Sequence, residues 1–427
     1  ITASVKEDII SDKINLVFII KETEKFYVER INIFGNNVTQ ESVIRNQFEI
    51  DEGDPFNEIL HKKTLNNIKS LNFFKDVRAD VVDSEKDSFK IINIDVDEKP
   101  TGEITAGAGF GTNGGTVMAG IRENNFLGKG LNVNTNITLE EDSIRGKFAI
   151  TNPNYNNSDK SISASIQATE NDKLSAFGYK TNKTGFSIGT AFEYYKDFNL
   201  GFETTSFYEK IETNSTASAA QKKQEGDYWD TFLKTRFDYD KRNQKYQTTN
   251  GFRSIYSLDL PIISESKTFI SSYSYKHYLE LYENNVSSFS LYLKNSNSFT
   301  GNDIKLSERL YVPSNMLRGF EFGKVGPKDG DDFVGGNYLT AVNIASTLPQ
   351  ILPNAQNINF SLFLDAANLW GVDYDSSIND SNKIRSTIGV GIDWFTLIGP
   401  LNFTFSENIS KDSSDITESF RFNIGTT

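Results

Sequence analysis

Side chains that carry catalysis or bind metals are scarce in this chain of 427 residues. Cysteine is absent, which excludes thiol catalysis, thiolate metal sites and disulfides. The only histidines are His61 and His277, so a two-histidine zinc or iron centre is not expected. Carboxylates are numerous, but no local pattern gives them a pocket that would shift a pKa. We therefore expect no enzyme activity, no metal and no cofactor.

One glycine-rich segment, residues 109–114, fits the dinucleotide-binding pattern G-x-G-x-x-G. That pattern holds a phosphate only where a helix N-terminus follows it, and no amphipathic helix pattern follows here. We interpret these glycines as part of a strand.

The composition favours strands and argues against nucleic acid as a partner. Phe and Tyr number 33 and 18, and such residues are enriched in β-sheets. The net charge of −13 opposes binding to a phosphate backbone. No run approaches the roughly 18 apolar residues of a transmembrane helix.

Helical periodicity is confined to the first 99 residues. Residues 1–23 resemble two strands, which we interpret as the C-terminal remnant of a preceding domain. Residues 24–99 predict a strand, two helices and two further strands, a small α+β domain. Thr39 is expected to cap the first helix, and Leu60, Leu65, Ile68 and Leu71 to form the apolar stripe of the second. Because the chain begins at Ile1 without Met or a signal peptide, we expect further domains upstream.

Residues 100–427 alternate between apolar and polar positions with a period of two. In 130–139, for example, Leu131, Val133 and Thr135 alternate with asparagines. About sixteen such segments are present, and many have the roughly 9–11 residues that a tilted membrane strand needs. The pattern predicts a 16-stranded antiparallel transmembrane β-barrel. The predicted strands are 103–111, 115–123, 130–139, 143–152, 159–169, 183–193, 199–210, 229–240, 251–259, 268–281, 285–297, 338–348, 356–367, 384–395, 399–409 and 418–427.

The connections between these strands alternate between short and long. The long ones, including 298–337, fall on one side of the barrel and the short turns, such as 195–198, on the other. This asymmetry is typical of outer-membrane barrels, whose short turns face the periplasm. The segment 298–337 is too long for an idle connection, so we expect it to have a function.

Several motifs resemble the BamA branch of the POTRA-barrel superfamily. The resemblance covers nearly the whole chain, with residues 24–99 similar to the POTRA domain nearest the barrel. Further similarities lie in 107–112, in 124–130, in Thr151-Asn152-Pro153, and in the final segment 420–425. The most specific match is Leu317-Arg318-Gly319-Phe320 with the glycine-rich segments after it, which resembles the family's Arg-Gly-Phe/Tyr loop motif. Family last strands end in an aromatic residue, so we expect at least one residue to be missing after Thr427.

The resemblance implies that the long loop folds into the barrel lumen and that Arg318, Gly319 and Phe320 form its motif. The guanidinium of Arg318 is then expected to form a bidentate pair with Asp365. A second acidic position of the family falls at Ala345, which cannot accept such a bond. We therefore expect Arg318 to depend more heavily on Asp365.

The first and last strands must meet to close the barrel. The first strand buries little side-chain surface, so this seam is expected to open more readily than the others. An opened seam exposes an edge to which an incoming strand can bind. The alternative is that the glycines only permit curvature. The candidate seam residues are Thr105, Ala106, Gly107, Ala108 and Gly109 in the first strand and Phe420, Phe422, Asn423, Ile424 and Gly425 in the last.

The resemblance implies a central subunit of the machinery that folds and inserts β-barrel proteins into the outer membrane of a Gram-negative bacterium. Its expected partners are unfolded outer-membrane proteins, outer-membrane lipid and, through periplasmic POTRA domains, chaperones and accessory lipoproteins. A secretion transporter that passes substrate through the lumen is the alternative. A passive porin is disfavoured, since diffusion needs no periplasmic arm.

Overall fold

The computed structural model describes residues 2–10, 13–21, 24–112, 114–282, 285–301, 303–349, 357–396 and 399–425. The predicted strand positions 356, 426 and 427 and parts of the segment 1–23 lie outside these residues. The chain divides into two compact units, Ile1–Gly102 with Glu123–Asn132 and Glu103–Arg122 with Val133–Thr427.

The first unit contains a hairpin and an α+β domain. Strands β1 (Thr2–Ile10) and β2 (Lys13–Lys21) form a two-stranded antiparallel sheet. The domain follows with one strand, two helices and two strands, so the predicted order is confirmed. Its sheet has the order β3-β5-β4, with β3 and β5 parallel. Its elements are β3 (Tyr27–Phe34), α1 (Glu41–Arg45), α2 (Glu58–Ser70), β4 (Phe74–Asp83) and β5 (Phe89–Glu98).

The apolar residues of this domain pack as their periodicity predicts. Ile68 of α2 is fully buried, and Leu60, Leu65 and Leu71 pack against the same core. Alternate residues of the two C-terminal strands supply the other side of that core, because strand side chains point to opposite faces in turn. These are Val77, Ile92, Ile94 and Val96.

The predicted cap of the first helix is wrong. Helix α1 follows Gln40, whose side chain makes no cap bond. Thr39 is buried, and its hydroxyl oxygen accepts a hydrogen bond from the Asn125 side-chain amide at 2.9 Å. The main-chain N–H groups of residues 37–39 donate to the carboxylate of Glu98 instead. The local Thr signal failed because a partner distant in sequence uses the hydroxyl.

A closed antiparallel barrel of sixteen strands makes up most of the remaining chain, which confirms the predicted fold class. All the strands given below belong to it except the short pair β17 and β18. Among the described residues, no helix is both long and apolar enough to cross a membrane. The elements are β6 (Gly102–Gly111), β7 (Gly114–Phe126), β8 (Leu131–Glu140), β9 (Ser143–Asn152), β10 (Ser161–Lys173), α3 (Leu174–Phe177), β11 (Tyr179–Tyr195), β12 (Phe198–Thr213), α4 (Ala219–Lys222), β13 (Gly226–Asp240), β14 (Gly251–Ile263), β15 (Thr268–Tyr282), β16 (Asn285–Ser298), β17 (Lys328–Asp329), β18 (Asp332–Phe333), β19 (Tyr338–Thr347), β20 (Ile358–Trp370), β21 (Arg385–Thr396), β22 (Gly399–Ser410) and β23 (Phe420–Gly425).

The two faces of the barrel wall differ as the alternation predicts. On β20, Leu362 and Leu364 are exposed on the outside, whereas Phe363 and Asp365, which alternate with them, are buried on the inside. An apolar outer face suits contact with hydrocarbon, and closure pairs the strand edges that would otherwise be exposed.

Candidate functional site: the folded loop and the barrel seam

The loop between β16 and β19 is anchored to the barrel wall by Arg318. Its Nε and Nη2 atoms donate to the two carboxylate oxygens of Asp365, each at 2.7 Å, and its main-chain N–H donates to the same carboxylate at 3.0 Å. The guanidinium carbon lies 3.5 Å from the centre of the Phe363 ring. Asp365 is fully buried, so this charge is withdrawn from water and depends on these bonds.

A further partner of Asp365 was missed from the sequence. Asn343 lies directly opposite Asp365 on the neighbouring strand, and Ala345 lies opposite Phe363. The Asn343 amide donates to Asp365 Oδ1 and to the carbonyl of Met316, both at 2.9 Å. The strand alternation could have identified Asn343, because it stands two residues before Ala345 and therefore shares its inward face. At this position the side-chain amide of Asn343 therefore links the barrel wall to the loop.

Apolar packing holds the same loop segment against the wall. Phe320 is almost fully buried, and Gly319 has φ +88°. A Cβ at Gly319 would lie 2.9 Å from Ser406 Oγ and Thr387 Cγ2, so only glycine fits this approach. The cluster that contains Phe320 joins loop and wall residues. Its buried members are Leu310, Val312, Leu317, Phe320, Val325, Leu339, Ala341, Ala367 and Leu369.

A buried charge cluster anchors the start of the loop. Lys305 forms ion pairs with Asp230 on β13, with Glu209 on β12 at 3.4 Å and with Glu308 at 3.5 Å. Burial raises the pKa of the Glu308 carboxyl, and the positive charge of Lys305 opposes this shift. This cluster could not be predicted from the sequence, because its members are scattered over 100 positions of the chain.

A second buried ion pair joins Arg385, the first residue of β21, to Asp415 in the connection between β22 and β23. The guanidinium donates to both carboxylate oxygens, at 3.0 and 3.1 Å, and to the carbonyls of Ser381 and Lys383. Both side chains are at most 1% exposed. Asp415 Oδ1 also accepts a hydrogen bond from the main-chain N–H of Gly326 in the long loop.

Strands β6 and β23 meet at the seam that closes the barrel. Among the described residues, three pairs join the two strands: Asn423 with Gly111, Ile424 with Phe110 and Gly425 with Gly109. The N–H of residue 112 also donates to the carbonyl of residue 422 at 3.1 Å.

The described register includes some of the predicted seam residues. Of the first-strand candidates only Gly109 has a partner in the described part of β23. Thr105, Ala106, Gly107 and Ala108 lie on β6. On the other side, Phe420 and Phe422 pair with Phe405 and Phe403 of β22.

A cavity of about 1330 Å³ lies in the second unit beside the loop. Its lining is mixed in charge, with Arg145, Lys183 and Glu140 from the wall, and Glu321 from the loop. Within the part of the chain that the structure describes, no group of three or more potential metal ligands is placed to hold an ion. The site thus consists of a pinned loop, a polar lumen and a glycine-rich seam.

Two family models match the chain. The Omp85 superfamily domain matches residues 125–427, and the surface antigen variable number repeat, the POTRA family, matches residues 26–99. The chain therefore belongs to the Omp85 superfamily and is an outer-membrane protein of the BamA type.

Curated relatives carry the name outer membrane protein assembly factor BamA. That of Neisseria meningitidis serogroup B is 24% identical over 471 residues, which cover 97% of this chain and 58% of the relative. That of Nitratidesulfovibrio vulgaris is 23% identical over 439 residues, which cover 96% of this chain and 52% of the relative. The chain thus spans little more than half the length of these relatives.

Solved structures show the same fold. BamA from Haemophilus ducreyi lacking POTRA domains 1–3 has a TM-score of 0.87 at 22% identity, covering 100% of this chain and 89% of that one. CdiB from Acinetobacter baumannii has a TM-score of 0.56 at 12% identity, covering 99% and 78%.

Proposed function

We propose that this chain is the membrane part of the central subunit that folds and inserts β-barrel proteins into the outer membrane. It acts by opening the seam between β6 and β23 and templating the incoming strand. The observation that carries this proposal is the glycine-rich seam, in which Gly109 pairs with Gly425 and Gly111 with Asn423.

The chemistry of such a reaction is main-chain hydrogen bonding. An opened seam presents unpaired N–H and C=O groups in a lipid environment, where each unmade bond is costly. A substrate strand satisfies these groups by β-augmentation, and the next substrate strands follow it. No covalent or enzymatic step is needed.

The partners follow from this reaction. Unfolded outer-membrane proteins bind at the seam, and outer-membrane lipid surrounds the barrel. Residues 24–99 act as a POTRA domain in the periplasm that receives substrate from chaperones and binds accessory lipoproteins. In this proposal residues 1–23 are the end of a preceding POTRA domain and residues 100–427 are the barrel, with the loop 298–337 folded inward.

A seam disulfide tests the proposal, because the chain has no cysteine. Phe110 and Ile424 are opposite each other and both side chains are exposed on the outside of the barrel, so F110C/I424C has suitable geometry for a bond. Ile344 and Leu364 form a matched pair within the wall, and I344C/L364C is the control. We expect oxidation of the seam pair to stop assembly of a model barrel protein and reduction to restore it.

The oxidised control should assemble substrate at the wild-type rate. If the locked seam also assembles substrate at an unchanged rate, lateral opening is wrong. Passage through the lumen, the alternative favoured by the polar cavity, then becomes the better hypothesis. It predicts high conductance once the loop is withdrawn.

A further inference from the structure

Arg421, the second residue of the last strand, is bonded to the long loop. Its side chain is 8% exposed, and its Nη1 and Nη2 atoms donate to the main-chain carbonyls of Ser314 at 2.9 Å and Phe320 at 2.8 Å. Its Nε donates to the carboxylate of Glu418 at 2.9 Å, which neutralises the buried charge. The planar guanidinium can serve these three acceptors at once, which a lysine ammonium on a flexible stem does less well.

The chain just before the last strand is also paired with the loop through its backbone. An isolated β-bridge joins Phe320 to Thr417, next to Arg318 and Gly319 of the loop motif. Three main-chain hydrogen bonds flank the bridge. They run from the N–H of Glu418 to the carbonyl of Gly319 at 3.0 Å, from Glu321 to Ile416 at 3.1 Å and from Ile416 to Lys324 at 3.0 Å.

These bonds add an attachment of a different kind to the last strand. Among the described residues, three pairs join it to β6 at one edge and five join it to β22 at the other. The loop in addition holds its start through Arg421 and the backbone of 416–418, and the loop is itself pinned to the wall at Asp365. A movement of the loop motif is therefore transmitted directly to the strand that closes the barrel.

We propose that Arg421 is the positioning residue that couples the loop motif to the last strand, so that the docked loop keeps the seam closed and undocking from Asp365 releases it. This inference rests on the proposed function, since the state of the seam matters for assembly only if the seam is the templating edge. It assigns the loop a regulatory role at that same site.

A double-mutant cycle on the closed state tests the coupling. In the full-length protein in outer membranes, with F110C/I424C as reporter, the seam disulfide yield is measured for wild type, R421Q, D365N and R421Q/D365N. We expect each single substitution to lower the yield about fivefold, the lower end of typical coupling energies. The double substitution should lower it no further, because both break one chain of contacts.

The matched control is R253Q. Arg253 forms a bidentate pair with Asp238 on the adjacent strand of the wall, and its loss should leave the seam disulfide yield at the wild-type level. R421K keeps the charge but not the three-way geometry, and should give an intermediate yield. It also replaces R421Q in the cycle if that variant fails to fold.

Two outcomes would overturn the coupling. Additive effects of R421Q and D365N would mean that Arg421 only stabilises its own strand, and a wild-type yield in R421Q would mean that it does not hold the seam. Because the yield is measured without substrate, it is independent of the assembly assay. A seam lock without effect on assembly refutes the proposed function, whereas an additive cycle refutes the coupling alone.

Discussion

Strands β19 and β20, which carry the loop anchor, and strands β6 and β23, which close the barrel, differ in the side chains that their inner faces bury. The inner face of the first pair is covered by the loop, so that Ala341 and Leu369 are fully buried. The inward positions of β6 in contrast include Gly107, Gly109 and Gly111, which have no side chain to bury.

This difference distinguishes two contributions to the stability of a membrane barrel. Main-chain bonds are strong everywhere, because lipid offers no substitute partner. Side-chain burial, worth about 25 cal/mol per Å², differs along the wall and is concentrated where the loop docks. A seam that is poor in side chains is therefore the place where the wall opens at least cost, whereas the wall beside the docked loop is held by side-chain burial.

The largest effect is expected at the anchor. D365A removes the acceptor of four hydrogen bonds and leaves the Arg318 guanidinium and the Asn343 amide without it. Breaking a buried pair in this way costs about 3–5 kcal/mol, which should appear in the free energy of unfolding of the barrel in detergent. The control is D259A, because the carboxylate of Asp259 forms a looser ion pair in the wall, 3.6 Å from the Lys234 ammonium. Equal losses in the two variants would show that the anchor is not special.

Much of the barrel could be predicted because each strand repeats one physical demand, an apolar outer face and a polar inner face. The predicted strand 143–152 coincides with β9. Strand β11 begins at Tyr179 rather than at 183. Polar residues at its start interrupt the apolar–polar alternation on which the prediction was based. The alternation reports contact with lipid, not the full extent of backbone pairing.

The site was predictable only where a motif carried it. Arg318 and Asp365 were identified by resemblance and parity, and the structure brings them together. The pair of Arg385 and Asp415 gave no signal, since 29 residues separate them and nothing local distinguishes either one. Arg421 lay inside a recognised segment, but its partners are main-chain carbonyls, which leave no trace in a sequence.

A smaller effect is expected at the seam. Gly425 has φ +86°, and a Cβ there would lie 2.4 Å from the main-chain oxygen of Ala108. G425A should therefore weaken the seam by about 1–3 kcal/mol, the usual cost of such strain, and lower the F110C/I424C disulfide yield. Gly146 on β9 has no atom within 4 Å of the equivalent position, so G146A is the control. An undiminished yield in G425A would mean that the seam is not limited by this close approach.

The smallest expected effect is a pH dependence of the stability of the docked loop. Burial raises the folded pKa of the Glu308 carboxyl above its ordinary value of 4.5, against the opposing charge of Lys305, while Asp230 lies in the same cluster. Because the folded pKa is the higher one, the folded loop is favoured when Glu308 is protonated, and this stability is lost as the pH rises from the unfolded value through the folded pKa. E308Q should flatten this slope, measured as the hydrogen-exchange protection of residues 303–337 normalised for intrinsic exchange.

The control is E225Q. The exposed Glu225 has a pKa lowered by hydrogen bonds from Thr213, so this substitution removes a pH dependence of the opposite sign. If E308Q and wild type show the same slope, the buried cluster does not set the stability of the docked loop, and the contrast with the seam rests on Asp365 and the apolar contacts.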